Sequence, residues 1–377
     1  MTTTPIRLGF IGASTGKSGP GSESWAVRAH VPFLKSSRNT SYTITAIQNS
    51  TRQSAENAAS SLQLSDVKGF YDNPHDLAKD ENVDVVAVSV NVPSHYDTVM
   101  PALNAGKDIF VEWPLGRNLK EAQEMTTLAK QKGVRTMVGL QARQNPSVVA
   151  AKRLVDDGSV GEILSTTMHG YGMIFGATTL KSFAYGFPIE AGANLLTIPF
   201  GHAVDAMCWV LGEMEYVSAT LANRRPKFEV TDHAGEVMGE ATKTAHDHVA
   251  VTGVLERSGG VVNLMYEGGM NPSGGPSFFW QINGTKGTLL LEGHMGHLQM
   301  FQPKISFAKV GEEIKEVEGV KKVDADFSYA VGEAWEAFAG KGGGTVTTFE
   351  DALTRHQMIN AIYRSNESGE RESYMRG

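Results

Sequence analysis

Cysteine is almost absent from this chain: Cys208 is the only one in 377 residues, so no disulfide can form within it. A lone thiol fits a reducing compartment. Its setting, Asp205-Ala206-Met207-Cys208-Trp209-Val210-Leu211, is an apolar helical stretch, where a small buried hydrophobe is the better reading than a catalytic thiol. There is no basic excess either. The 34 Lys and Arg stand against 41 Asp and Glu, a formal net charge of -7, which argues against binding nucleic acid by neutralising phosphates. No apolar run approaches the roughly 20 residues of a membrane span. Met1-Thr2-Thr3-Thr4-Pro5 lacks the basic and apolar regions of a secretory leader, and Tyr374-Met375-Arg376-Gly377 matches no lipidation or retrieval signal. A cytoplasmic location is expected, with no membrane and no direct nucleic-acid partner.

The length suits two domains. Residues 6–12 read as a short buried strand running into glycine, 24–37 as an amphipathic helix, 42–48 as an alternating strand and 51–62 as an Ala-rich helix. Residues 83–90 are a continuous apolar, β-branched run, as in a parallel strand buried on both faces. A helix over 95–105 stops at Gly106, a strand follows at 108–111, a helix over 119–132 stops at Gly133, and 135–140 is again a strand. This alternation predicts a doubly wound, parallel Rossmann sheet over 1–142. Beyond it, helices at 148–155 and 195–211 precede a strand-rich stretch from 216 to about 317. Helices return at 330–339 and 348–365. The expectation for 143–377 is an α+β domain with a large, mainly antiparallel sheet, its final helices free to pack back on the Rossmann domain.

Gly9-Phe10-Ile11-Gly12-Ala13-Ser14-Thr15-Gly16 lies at the first strand-to-helix junction. Glycine lets a pyrophosphate approach the backbone, so Gly12, Ala13 and Ser14 are candidate cofactor contacts, although a purely structural turn is the competing reading. The strict Gly-x-Gly-x-x-Gly spacing is missing, and 16–24 reads as an insertion. At the end of the second strand, Gln48-Asn49-Ser50-Thr51-Arg52 carries no acid. Asn49, Ser50 and Arg52 therefore suit a ribose 2′-phosphate, and NADP over NAD; the competing reading is a helix cap made by Asn49 or Ser50. Asn91, Pro93 and His95 follow the 83–90 strand at the sheet edge where ligands bind, though His95 equally serves as a plain helix start. Glu112-Trp113-Pro114 follows the next strand, and Asn194 precedes a helix carrying His202 and Asp205 on one face. A packed role for His202 competes with an acid/base role. His246-Asp247-His248 would put two imidazoles on one strand face, but no further ligands complete a metal site, and none is expected.

Together these residues resemble the glucose–fructose oxidoreductase, inositol dehydrogenase and MocA (Gfo/Idh/MocA) family over nearly the whole chain. The carriers are the strand–Gly–helix opening, Asn91-Val92-Pro93-Ser94-His95, Ala102-Leu103-Asn104-Ala105-Gly106-Lys107, Glu112-Trp113-Pro114, Gly284-Thr285-Lys286-Gly287-Thr288-Leu289, and Asp351-Ala352-Leu353 leading to Ala361-Ile362-Tyr363. Within it, Ser94-His95-Tyr96, Phe110-Val111-Glu112-Trp113, Phe200-Gly201-His202 with Asp205, and Tyr363-Arg364-Ser365-Asn366 are similar to the fungal Gal80-like branch. The resemblance implies a nicotinamide dinucleotide and a homodimer or higher oligomer. It also implies Glu-Lys-Pro after the fifth strand and an Asp four residues before the later His; here Trp113 and Ile198 stand at those positions. His202 is left as the best proton donor or acceptor, with Lys181, Tyr171 and Tyr185 as substitutes in the segment that approaches substrate.

Trp113 in place of an ammonium removes a positive charge and adds apolar area, which favours an apolar carbonyl, enone or imine over a polar sugar. The expected function is an NADP-dependent oxidoreductase (NAD as second choice) acting on a small molecule, with Trp113, Tyr171, Asn194 and His202 around the substrate. A catalytically inactive, Gal80-like regulator that binds NADP and a protein partner is the alternative. Non-redox chemistry in a repurposed pocket is a third.

Overall fold

The computed structural model describes residues 4–16, 23–323 and 326–375. The chain divides into two compact units, Met1–Leu140 with Asp326–Leu353, and Gln141–Ala325 with Thr354–Gly377. The first unit runs to Leu140 and takes in the C-terminal piece Asp326–Leu353, against an expected cut between 142 and 143 that left the final helices free to pack back on the Rossmann domain.

In the first unit, β1 (Ile6–Ile11), β2 (Tyr42–Gln48), β3 (Gly69–Tyr71), β4 (Val85–Val88), β5 (Asp108–Glu112) and β6 (Thr136–Gly139) form one sheet, in the order β3-β2-β1-β4-β5-β6. Every pairing is parallel. β4 is buried along its whole length, as its Val-Val-Ala-Val run requires. The strand order reverses between β1 and β4, the place where such sheets bind ligands. The connecting helices are α1 (Val31–Lys35), α2 (Arg52–Ser61), α3 (Pro74–Ala78), α4 (His95–Asn104) and α5 (Leu119–Lys132). α5 shows why the chain is helical there: the Asn118 side chain accepts from Glu121 N, and Gly133 closes the helix at a φ of 65°. The helix expected over 24–37 is shorter and split. Ala26–His30 is a π-helical turn ahead of α1, and Pro32 has no N–H with which to continue a regular ladder.

In the second unit, α6 (Pro146–Asp156) and α7 (Gly201–Leu211) accompany a sheet of β7 (Ile163–Tyr171), β9 (Met214–Ala222), β12 (His248–Leu255), β13 (Val261–Glu267), β14 (Phe278–Gly284), β15 (Gly287–Gly293), β16 (Lys304–Lys309) and β17 (Lys315–Glu316). Its order is β17-β16-β15-β14-β7-β13-β12-β9, antiparallel throughout except for β7 with β13. β8 (Thr178–Leu180), β10 (Lys227–Thr231) and β11 (Val237–Thr242) make a small separate sheet. β7, which the sequence reading left unassigned, sits inside the large sheet; Trp280 Nε1 on β14 donates to Thr166 Oγ1 on β7 at 2.9 Å. α7 is buried on nearly every side, and its Asp205 takes both Arg143 Nε and Nη2 at 2.8 Å.

Two C-terminal helices complete the fold. α8 (Phe327–Phe338) belongs to the first unit, where Trp335 packs on Phe110 (ring centroids 4.4 Å apart) and on Tyr42 (4.9 Å). Burying such side chains contributes about 2 kcal/mol each. The division between the units falls within α9 (Phe349–Ser368); in the second unit its Arg355 adds a 3.4 Å contact to Asp205 and an ion pair to Glu213. Among the described residues no helix is long and apolar enough to cross a membrane, and no group of three or more His, Cys, Asp or Glu is arranged to hold a metal ion.

Candidate functional site

The glycine turn after β1 is required by geometry. Gly12 has a φ of +96°, and a Cβ there would stand 2.2 Å from the Ser89 carbonyl oxygen. Gly12 N donates to Gln48 O at 3.0 Å, so the turn ties the ends of β1, β2 and β4 together. Ala13 is buried beneath it and Ser14 is exposed. The insertion expected over 16–24 falls mostly on 17–22, outside the described residues. Among the described residues the first helical turn is Ala26–His30.

At the end of β2, the cap of α2 is neither Asn49 nor Ser50 but Thr51, whose hydroxyl accepts from Ser54 N at 3.1 Å. That corrects the competing reading and leaves Ser50 exposed and uncommitted. Asn49 is buried; its Nδ2 donates to Ser54 O at 3.2 Å, while Oδ1 has no partner. The Arg52 side chain is 70% exposed, with Glu56 at 3.6 Å. A buried amide oxygen without a partner, a glycine cradle and an exposed guanidinium fit the adenosine end of a dinucleotide.

Asn91 is exposed, and Pro93 is half-buried in a short turn between β4 and α4. His95 does not present itself to a cofactor. Its Nδ1 faces Pro114 O at 2.8 Å and its Nε2 faces Val90 O at 3.0 Å, so the buried ring staples the segments after β4 and β5, and burial holds its pKa down. Glu112 is also engaged: Oε1 lies 2.6 Å from His30 Nε2, and the Trp335 indole donates to His30 Nδ1 at 3.1 Å. A ring that accepts at Nδ1 carries its hydrogen on Nε2, which fixes the tautomer that holds Glu112. Trp113 is 4% exposed, packed rather than open.

In the second unit, His202 lies on α7, is 4% exposed, and has an Nδ1 without a partner. Burial, then the neighbouring His297, push its pKa down to about 3. It therefore stays neutral near pH 7, which corrects the expectation of an imidazole titrating there; it can polarise an oxygen through N–H but cannot arrive as a charged acid. Lys181 is exposed, and Tyr185 is half-buried, with its phenol pKa raised by burial. Tyr171 ends β7, half-buried, its ring tilted on His169. Asn194 is structural: Oδ1 accepts from Leu196 N (3.1 Å) and Thr197 N (3.2 Å), and Nδ2 donates to Tyr363 at 3.3 Å, which leaves little for a substrate. His246 lies outside β12, and Asp247 is spent on Lys243 (2.9 Å) and His248 (2.7 Å), so these imidazoles do not share a strand face. His297, which acts electrostatically on His202, sits with Gln299 in the 294–301 segment between β15 and β16, which has no helical or strand periodicity to mark it in the sequence.

Residues 6–140 match the family GFO_IDH_MocA, an oxidoreductase family with an NAD-binding Rossmann fold, and residues 146–293 match the C-terminal domain of Gal80p. The dehydrogenase aclE of Aspergillus oryzae is 32% identical over 374 residues, which cover 98% of this chain and 98% of that one. The chain belongs to the Gfo/Idh/MocA oxidoreductase family. Its relatives within the family include regulators as well as dehydrogenases. The galactose/lactose metabolism regulatory protein GAL80 of Saccharomyces cerevisiae is 27% identical, over 97% of this chain and 93% of that one. The crystal structure of the transcriptional regulator Gal80p from Kluyveromyces lactis superposes with a TM-score of 0.87 at 27% identity, covering 99% of this chain and 92% of that one. As a Gfo/Idh/MocA member with a Gal80-like second half, the chain carries the apolar Trp113 and Ile198 at positions where the family resemblance calls for Lys and Asp.

Proposed function

We propose that this chain is an NADP-dependent oxidoreductase acting on a small, fairly apolar carbonyl, enone or imine. The observation that carries the cofactor reading is the acid-free end of β2, where Ser50 and the 70% exposed Arg52 suit a 2′-phosphate that a carboxylate would repel. Gly12, Ala13 and Ser14 would hold the pyrophosphate, and Asn91 and Pro93 the wall further along the sheet edge. Bound reduced nicotinamide supplies a hydride for an electrophilic carbon. The protein's part is to orient the acceptor and handle its oxygen. His202, neutral, donates an N–H that polarises the oxygen. Tyr185, kept protonated by burial, and the exposed Lys181 are the remaining proton sources, since an alkoxide is a far stronger base than a phenolate. Tyr171 supplies part of the apolar setting, and the assembly is a homodimer or higher in the cytoplasm.

A second reading is favoured by a specific feature: Trp113 and Ile198 remove two groups of the family's catalytic set, as a regulator that senses NADP and docks a protein partner would permit. Calorimetry with NADP, NADPH, NAD and NADH, followed by the absorbance of reduced cofactor against a carbonyl panel, separates the two. The enzyme reading expects carbonyl-dependent loss of NADPH absorbance that weakens in His202→Ala and Tyr185→Phe. Tight NADP binding with no turnover on any carbonyl would favour the regulator.

A further inference from the structure

One carboxylate at the carboxyl edge of the parallel sheet is held rigidly. Glu112 is the last residue of β5, and its side chain is 12% exposed. Oε1 lies 2.6 Å from His30 Nε2, while the Trp335 indole, which can only donate, lies 3.1 Å from His30 Nδ1. His30 Nδ1 is therefore an acceptor, and the hydrogen on Nε2 goes to Glu112. A second hydrogen, on Nδ1, would collide with the indole N–H, so the ring in this relay is an uncharged imidazole. The relay has no room to swing. The His30 ring meets Phe10 and Phe110 edge-on, with centroids 5.4 Å and 5.2 Å away, and Trp335 is wholly buried. On the neighbouring strand, β6 carries Gly139 opposite Glu112, where a Cβ would stand 2.6 Å from Oε2. All of these residues belong to the first unit. Among the described residues no Lys or Arg pairs with Glu112, and Trp113 and Pro114, which follow it, bring no charge. A fixed negative charge thus stands at the end of β5 without a cation to offset it.

β5 lies one strand beyond the reversal between β1 and β4. A dinucleotide whose 2′-phosphate is taken at the end of β2 and whose pyrophosphate is taken by the Gly12 turn extends along this edge toward β4 and β5, which brings its nicotinamide ring to the Glu112 side. The two redox forms of that ring differ in charge. The oxidised pyridinium is a cation and the reduced dihydropyridine is neutral, while the phosphates and riboses are common to both. We infer that Glu112, fixed by the His30–Trp335 relay, is a specificity-determining residue that makes the first unit hold oxidised NADP more tightly than NADPH. Glu112 acts through its charge, since Oε1 is committed to His30, and His30 and Trp335 are its positioning residues. Salt screens so enclosed a charge little, and a unit charge within about 10 Å at an effective dielectric constant of about 20 changes affinity about tenfold. The preference also makes reduced cofactor bound here a stronger hydride donor, because its oxidation leads to the form held more tightly. This inference rests on the dinucleotide reading of the glycine turn.

The test titrates the full chain calorimetrically with NADP and with NADPH and compares the two dissociation constants. Wild type should bind NADP at least about tenfold more tightly than NADPH. Glu112→Gln keeps an oxygen for the His30 N–H, and so keeps the relay, but removes the charge. It should lower the NADP preference by about tenfold and leave NADPH affinity within about twofold of wild type, which shows that the site is still folded. Glu112→Asp, which keeps the charge, should retain part of the preference. His30→Phe keeps a ring against Phe10 and Phe110 but loses the N–H, and should lower the preference by about threefold; a purely structural role would weaken both forms alike. Equal binding of NADP and NADPH by wild type, or an unchanged ratio in Glu112→Gln, would overturn the inference and leave the dinucleotide reading standing. Binding of neither form would overturn both.

Discussion

Replacing Gly12 by alanine tests the dinucleotide turn at its tightest point. The added methyl would stand 2.2 Å from Ser89 O, 2.8 Å from Ser89 C and 2.9 Å from Val90 Cγ1, on a residue whose φ is +96°. The left-handed backbone alone costs an L-residue about 1–2 kcal/mol. Relieving the overlap costs about 1–3 kcal/mol more, because neither side is free to give: Gly12 N is bonded to Gln48 O and Ser89 N to Ile11 O, both at 3.0 Å. The sum, about 3 kcal/mol, is a large share of the roughly 5–15 kcal/mol that holds a typical domain folded. Urea titration followed by tryptophan fluorescence should show the first unit, which holds Trp25, Trp113 and Trp335, unfolding earlier while the second keeps its midpoint. Under native conditions, moving the turn should weaken dinucleotide binding by at least about tenfold. A Gly12→Ala protein with wild-type midpoint and wild-type affinity would refute both the strain argument and the turn's role.

Arg52→Ala should weaken NADP binding by about tenfold, less than a buried charge pair would lose because the side chain is mostly in solvent, and should leave NAD binding unchanged; equal losses for both would remove the 2′-phosphate assignment. Stability should fall on acidification through the two buried imidazoles. Their pKa values drop from 6.5 to about 3 for His202 and about 4 for His297, so between roughly pH 6.5 and 4 the unfolded chain binds protons that the folded one refuses. Their contribution is intact above pH 6.5 and is lost at up to about 1.4 kcal/mol per pH unit per histidine, and thermal melts of His202→Leu should show a shallower dependence than wild type from pH 7 to about 5. Asp205→Ala leaves Arg143 and Arg355 buried without their shared carboxylate and should destabilise the second unit by about 3–5 kcal/mol, seen as an early loss of Trp209 and Trp280 burial; a change under about 1 kcal/mol would mean the arginines find water instead.

Where the fold was legible, the cause was periodicity that one physical constraint enforces. A strand buried on both faces must be apolar throughout, and 83–90 shows that run around the observed β4. The α5 limits, Leu119–Lys132, follow from a cap residue and a terminal glycine that have no other explanation. β7 escaped notice because Ile163-Leu164-Ser165-Thr166-Thr167-Met168-His169-Gly170-Tyr171 mixes polar and apolar residues, its buried face being completed by partners distant in sequence. The return of α8 to the first unit has the same origin: nothing local in Phe327–Phe338 says that Trp335 belongs beside Tyr42 and Phe110. The glycine turn at Gly12 and the acid-free strand end before the exposed Arg52 could be read from chain position, since both lie at the ends of strands in the parallel sheet. His95, Glu112 and Asn194 could not, because a polar side chain at a strand or helix end looks the same whether it faces a ligand or a carbonyl of its own fold. His202 was visible but its charge state was not, because the burial that keeps it neutral comes from the whole unit rather than from its helix.

The central claim is that the first unit holds a nicotinamide dinucleotide through its glycine turn, with its phosphate preference set at the end of β2. Titrating the purified chain calorimetrically with NADP and NAD in parallel tests it directly. The expected result is one site per chain, with NADP at least about tenfold tighter than NAD and the difference abolished in Arg52→Ala. No heat with either dinucleotide, or a preference for NAD that Arg52→Ala leaves intact, would contradict it.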